Sequence, residues 1–158
     1  SYHIARNGVP LHGETISAAQ FPDLVPVMAV AMTGASGTST ITDAQRLRIK
    51  ESDRLATVCD FLTILGTNIR QTKDGLIIDE NNDSTDPSGP AAHCPAPSLC
   101  GGTVSSHNDH RIAMAAAVAS CRADGPVIIT GAEAVKKSYP DFFTDFTKLG
   151  GKIEILED

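Results

Sequence analysis

Two stretches of this chain follow one pattern written twice, about 85 residues apart. "GTSTITDA" at 37–44 is echoed by "GPVIITGA" at 125–132, and "FLTILGTNI" at 61–69 by "FTKLGGKI" at 146–153. Each copy mixes two periodicities. In the first, the apolar stretch 21–37 has Pro near its start and Gly at its end, as a helix does. Thr and Ile then alternate like a short strand at 38–44. Leu55, Val58, Cys59, Leu62 and Leu65 follow at helical spacing within 52–66, with Gly66 as a stop. Residues 68–80 read as a hairpin turning at Lys73-Asp74-Gly75. The second copy gives an Ala-rich helix at 108–125 capped by Asn108 or Asp109, a strand at 126–132, and a helix at 138–150. Ser138 and Asp141 look like its capping box, and "GKIEILED" at 151–158 reads as an alternating strand. The reading is α/β, with repeated βαβαββ units: unit one about 1–100, unit two about 101–158, its last strand missing.

Between the copies, residues 81–102 are dense in Pro, Gly, Ser and Asn and read as an inserted surface loop. His93, Cys94 and Cys100 fall in it, but their spacing matches no standard zinc site and a fourth ligand is not evident, so no metal is expected. The four cysteines do not suggest a disulfide framework, since Cys59 and Cys121 fall within apolar helical patterns. A net charge of −6 offers no basic field for nucleic acid, while local basic clusters in an acidic chain suit a small anionic ligand. No apolar run approaches the ~18 residues of a membrane span, and no signal peptide opens the sequence, so a cytoplasmic protein is expected.

The charges near helix starts conflict with local design. A helix N-terminus carries partial positive charge and disfavours cations. Yet Arg48 and Lys50 precede Ser52, a good N-cap, and Arg54 lies in the first turn that follows. Arg111 lies just after Asn108-Asp109, with His110 beside it, and Lys136 and Lys137 precede Ser138. A bound phosphate or carboxylate reverses the sign of the conflict, because backbone N–H groups, dipole and side-chain cations then all attract it. The competing explanation is pairing with the local acids Glu51, Asp53, Asp109 and Asp141. Glu51, set among cations, suits proton transfer to a bound anion. Asp23 is a further acid at a helix start, where capping would also explain it.

"FPDLVPVMAVAMTGASGTSTI" (21–41), "RIKESDRL" (48–55), "NDHRIAMA" (108–115) and "KKSYPDFF" (136–143), in this order, closely resemble the C-terminal part of the 5-enolpyruvylshikimate-3-phosphate synthases. The resemblance covers nearly the whole chain outside 81–98. It implies transfer of the enolpyruvyl group from phosphoenolpyruvate to the 5-hydroxyl of shikimate 3-phosphate, with release of phosphate and no metal or organic cofactor. It also implies that Asp23 contacts the shikimate 5-hydroxyl as proton acceptor, Lys50 binds the shikimate part, and Glu51 protonates the enol methylene. Arg54, His110, Arg111 and Lys137 match residues lining the phosphoenolpyruvate site: Arg54 and Arg111 at its carboxylate, Lys137 near its phosphate. Arg46 stands where the family often carries an Asn that touches the shikimate phosphate.

The family's enzymes have two domains of three βαβαββ units each, so this chain corresponds to about two units of one domain. The opposite, N-terminal domain would be its missing partner, an isolated fragment is expected to be inactive, and helix faces should be exposed where a third unit would pack. The UDP-N-acetylglucosamine enolpyruvyl transferases share fold and chemistry but lack this combination of motifs. A non-catalytic anion-binding module is the reading from another class.

Overall fold

Thr and Ile alternate through Ser39–Thr42, and β-branched side chains suit a half-buried pleated surface. This run forms β2, an interior strand of a four-stranded sheet in the order β1-β2-β4-β3. The computed structural model describes residues 11–80 and 98–156. Its elements follow as β1 (Thr15–Ser17), α1 (Val25–Met32), β2, α2 (Arg54–Ile64), β3 (Ile69–Gln71) and β4 (Leu76–Ile78), then β5 (Gly102–Ser105), α3 (His110–Ser120), β6 (Val127–Thr130) and α4 (Phe142–Lys148). Short 3-10 turns occupy Pro22–Leu24, Gln45–Ile49 and Ala132–Lys137.

β1 and β2 are parallel, with Ile16 opposite Ile41, and α1 makes the crossover between them. β4 is antiparallel to both β2 and β3. The β3–β4 hairpin turns where the sequence predicts, closed by the Thr72 N–H donating to the Gly75 carbonyl at 2.8 Å. Gly75 has no room for a side chain, because a Cβ there would lie 1.8 Å from the Ile41 carbonyl oxygen. β5 and β6 form a second parallel pair, with α3 as the crossover. One apolar core runs through both sheets, including Leu47, Leu55, Phe61, Leu76, Val104 and Ile112. Small residues on α3 (Ala115, Ala116, Ala119) join it and leave room for α1 to pack alongside. Arg122, beyond the end of α3, donates to the Val30 carbonyl and to Thr33 Oγ1 at the C-terminus of α1.

Several local expectations change. Ser52 does not cap α2; Asp53 does, accepting the Ala56 N–H at 3.1 Å. Asp109, not Asn108, caps α3, accepting the Arg111 N–H at 2.9 Å. The helix read at 138–150 begins at Phe142, and Ser138 makes no cap. Lys136 and Lys137 therefore end a 3-10 turn, where the dipole favours cations, rather than preceding a helix.

Residues 151–156 form no strand, although Lys152, Ile153, Glu154 and Ile155 alternate well. A strand needs a hydrogen-bonding neighbour, and among the described residues none pairs with this segment. Leu149 and Ile155 are 89% and 87% exposed, and α4 buries none of its residues. At the end of the segment read as an inserted loop, Leu99 is buried and Gly102 opens β5; residues 81–97 lie outside the described residues.

Cys59 is half-buried on α2, and burial pushes its thiol up. Cys121 lies beyond the last turn of α3 and is exposed. Cys100 is disulfide-bonded, although the four cysteines suggest no disulfide framework from sequence. His93 and Cys94 lie outside the described residues, and no metal-ligand cluster occurs among the described ones.

Candidate active site

The N-termini of α2 and α3 meet beside the 3-10 turn at Pro22–Leu24, and their charged side chains interlock there. Arg54, the first residue of α2, is 1% exposed, and Asp109, the cap of α3, is 0% exposed. Arg54 Nε and Nη2 donate to the two carboxylate oxygens of Asp109 at 2.7 and 3.2 Å, in the fork geometry peculiar to arginine. Its outer edge donates from Nη1 to Asp23 at 2.8 Å and from Nη2 to Glu51 at 2.7 Å. Burying a guanidinium costs several kcal/mol, roughly, unless its donors are met. Three carboxylates meet them here.

Asp23 gathers further cations: Lys50 Nζ at 3.5 Å and Arg111 Nη2 at 3.7 Å. Partial burial alone would raise its pKa, but Lys50, Arg111 and Arg54 together hold the carboxyl below the usual range. Asp109 behaves likewise. Its burial is outweighed by Arg54, the Arg111 N–H and Ser52 Oγ, which donates at 3.0 Å. Burial would also make Arg54 give up its proton more easily; Asp109, Glu51 and Asp23 more than reverse that. Both aspartates are therefore ionised at neutral pH.

Lys137 reaches the same region by another route, donating from Nζ to the Asn108 carbonyl. That carbonyl is presented by a strained turn, since His107 and Asn108 both have positive φ (49° and 58°). His110 is buried, and its Nδ1 has no hydrogen-bond partner; neither has the buried Nε of Arg111. Unpaired buried polar atoms cost about 1–3 kcal/mol each. Two of the three such side-chain atoms among the described residues belong to these consecutive residues at the start of α3.

Asp23, Lys50, Glu51, Arg54 and Arg111 are thus joined in one cluster, with His110 and Lys137 at its edge. The charges that conflict with the helix dipoles are answered in part by local acids: Glu51 and Asp109 for Arg54, Asp53 for Arg48. Three carboxylates (Asp23, Glu51, Asp109) face three cations (Lys50, Arg54, Arg111), so the cluster is balanced in charge. The outer edge of Arg54 is thus already taken by Asp23 and Glu51. Asp109 was legible from sequence as a cap and as an acid for nearby cations, not as the partner of Arg54. Its second role, across 55 residues of chain, had no local signal. Arg46 stands apart, lining a cavity of about 380 Å³ with Gln20, Asp43 and Gln45.

A family model described as EPSP synthase (3-phosphoshikimate 1-carboxyvinyltransferase) matches residues 1–146. The chain belongs to the EPSP synthase family. The 3-phosphoshikimate 1-carboxyvinyltransferase of Clostridium novyi (strain NT) is 47% identical over 143 residues, covering 90% of this chain and 29% of that relative. That of Clostridioides difficile (strain 630) is 46% identical over 145 residues, 91% of this chain and 30% of the relative. The solved EPSP synthase from Acinetobacter baumannii superposes with a TM-score of 0.77 at 34% identity, covering 95% of this chain and 33% of that one. The enolpyruvyl transferase NikO from Streptomyces tendae shares the fold at a TM-score of 0.64 and 23% identity, over 92% of this chain and 29% of that one. The α/β architecture is therefore that of the EPSP synthases, and the chain spans about 30% of the length of the curated relatives it matches.

Proposed function

We propose that this chain supplies one side of an EPSP synthase active site, acting in transfer of the enolpyruvyl group from phosphoenolpyruvate to the 5-hydroxyl of shikimate 3-phosphate. The observation that carries this reading is the cluster in which Arg54 is shared among Asp23, Glu51 and Asp109, with Lys50 and Arg111 closing on Asp23. It combines carboxylates able to move protons with cations able to hold polyanions, which enolpyruvyl transfer needs together.

In this proposal Asp23, kept ionised by its cations, accepts the proton of the attacking 5-hydroxyl as the new C–O bond forms at C2 of phosphoenolpyruvate. Glu51 delivers a proton to the C3 methylene, giving a tetrahedral intermediate. Loss of a proton from C3 then restores the double bond as the C2–O bond to phosphate breaks. Lys50 holds the shikimate part, while Arg54 and Arg111 take the substrate carboxylate. Lys137 lies toward the phosphate, and His110 lines the same site. Shikimate 3-phosphate and phosphoenolpyruvate would be the only small molecules required.

The remaining contacts would come from an N-terminal domain of the same enzyme, working in the cytoplasm. By this reading the chain is part of a C-terminal domain. Unit one covers about 1–100 and unit two about 101–158, and a third unit packs against the exposed surface around Leu149 and Ile155. The isolated 158-residue chain should then release no phosphate from the two substrates, yet bind phosphoenolpyruvate weakly. An NMR titration tests this. Shifts at Arg54, Arg111 and Lys137 at millimolar ligand support a preformed half-site, and turnover by the chain alone would contradict the division of the site between two domains.

A further inference from the structure

Lys50 and Glu51 lie in neither helix nor strand, so something other than secondary structure must fix them. The residues on either side are tied together. Arg48 Nη1 donates to Asp53 Oδ2 at 2.9 Å, closing 49–52 into a small loop with an ion pair across its neck. The other oxygen of Asp53 caps α2 through the Ala56 N–H, so the neck is anchored to the helix. The remaining donors of Arg48 anchor it to the β3–β4 hairpin. Nε reaches the Lys73 carbonyl at 3.1 Å, Nη2 the Thr72 carbonyl at 2.6 Å, and Nη1 also the Gln71 side-chain oxygen at 3.0 Å. Those carbonyls belong to a turn that leaves them without strand partners, so Arg48 satisfies them while it grips the loop. Arg48 thus points its whole guanidinium into the protein's own structure.

From this geometry we infer that Arg48 is a positioning residue: through the Arg48–Asp53 neck and the hairpin, it fixes the loop that presents Lys50 and Glu51. Its importance to catalysis rests on the proposed roles of Lys50 and Glu51; the positioning itself does not. Four bonds from one planar group remove the loop's freedom to pivot, which a lysine at 48 could not do. With the neck closed, Glu51 stays within reach of Arg54 at 2.7 Å, and Lys50 within reach of Asp23 at 3.5 Å. With the neck open, both side chains, already more than a third exposed, lose their fixed approach to these partners.

Backbone 15N relaxation on the 158-residue chain tests this in the wild type and in two variants. Arg48→Gln removes the guanidinium. Asp53→Ser keeps a good N-cap residue while breaking the neck, so it reads the loop even if Arg48→Gln fails to fold. The wild-type amides of Lys50 and Glu51 should show order parameters near ~0.85, falling below ~0.6 in the variants, with the amides of α2 unchanged. The Glu51 side-chain carboxyl and Arg54 guanidinium signals should shift with them, a signature that general loosening of the fold would not confine to this contact. The inference is overturned if the wild-type loop is already mobile, or if a folded variant leaves those order parameters and signals unchanged. Adding phosphoenolpyruvate to the wild type separates the two claims. No ligand shifts together with loop release in the variants would sink the functional reading and leave the positioning role intact; the reverse result would do the opposite.

Discussion

Replacing Asp109 by Ala should be among the most damaging single changes available to this chain. The side chain is 0% exposed and accepts from Arg54 Nε at 2.7 Å, Arg54 Nη2 at 3.2 Å, Ser52 Oγ at 3.0 Å and the Arg111 N–H at 2.9 Å. Removing one partner of a buried ion pair costs about 3–5 kcal/mol, and losing a helix cap adds about 0.5–2 kcal/mol. Asp23 and Glu51 still hold the outer edge of Arg54, and both are nearly half exposed, so they offset part of the loss. The net expectation is a destabilisation of about 3–4 kcal/mol. With a urea slope of about 2 kcal/mol/M, the unfolding midpoint falls by roughly 1.5–2 M.

The acid limb gives a second reading of the same carboxylate. Its pKa is lowered in the folded state, so its stabilisation is present above the unfolded value of about 3.9 and is lost as pH falls through the folded value. In Asp109→Asn that part of the acid-induced loss should vanish, since no charge remains to be neutralised. A double variant, Arg54→Met with Asp109→Leu, should be less unstable than the two single changes added together, because neither residue then leaves a buried charge unpaired. A midpoint shift in Asp109→Ala worth less than about 1 kcal/mol, or strict additivity in the double variant, would refute the view that the two helix starts are held together by this pair.

Gly75→Ala should cost at least about 2 kcal/mol, since its Cβ would sit 1.8 Å from the Ile41 carbonyl oxygen; for a chain of this size that is a fall of roughly 4–8 °C in Tm by calorimetry. An unchanged Tm would mean that the hairpin turn moves away from β2 at little cost. Glu51→Gln should tighten phosphoenolpyruvate binding about two- to five-fold in an NMR or calorimetric titration, because a half-exposed carboxylate worth about 0.5–1 kcal/mol no longer competes for Arg54. Weaker binding in that variant would place the ligand away from Arg54.

Much of the architecture was legible in the chain because its signals are local. The Thr-Ile alternation of β2, the turn at 73–75 and the apolar spacing of α2 each depend on residues a few positions apart. The ordered motifs likewise carried the family and the residues of the candidate site. The failures were local signals lacking a partner. Residues 151–156 alternate as a strand does but have no paired neighbour among the described residues, and Ser138 is a good cap residue that closes a 3-10 turn instead of opening α4, which begins at Phe142.

The sequence offered local acids as partners for these cations, but which acid meets which cation was beyond it, because that depends on which helix starts the fold brings together and how deeply it buries them. Arg48 and Arg54 look alike at the edge of α2, yet one binds the neighbouring hairpin and the other is buried against Asp109. Periodicity and caps fixed the helices and strands from within. Only the convergence of α2 and α3, driven by the shared apolar core, decided that Arg54 would be enclosed by three carboxylates, and only the placing of the β3–β4 hairpin beside residues 48–53 gave Arg48 its partners.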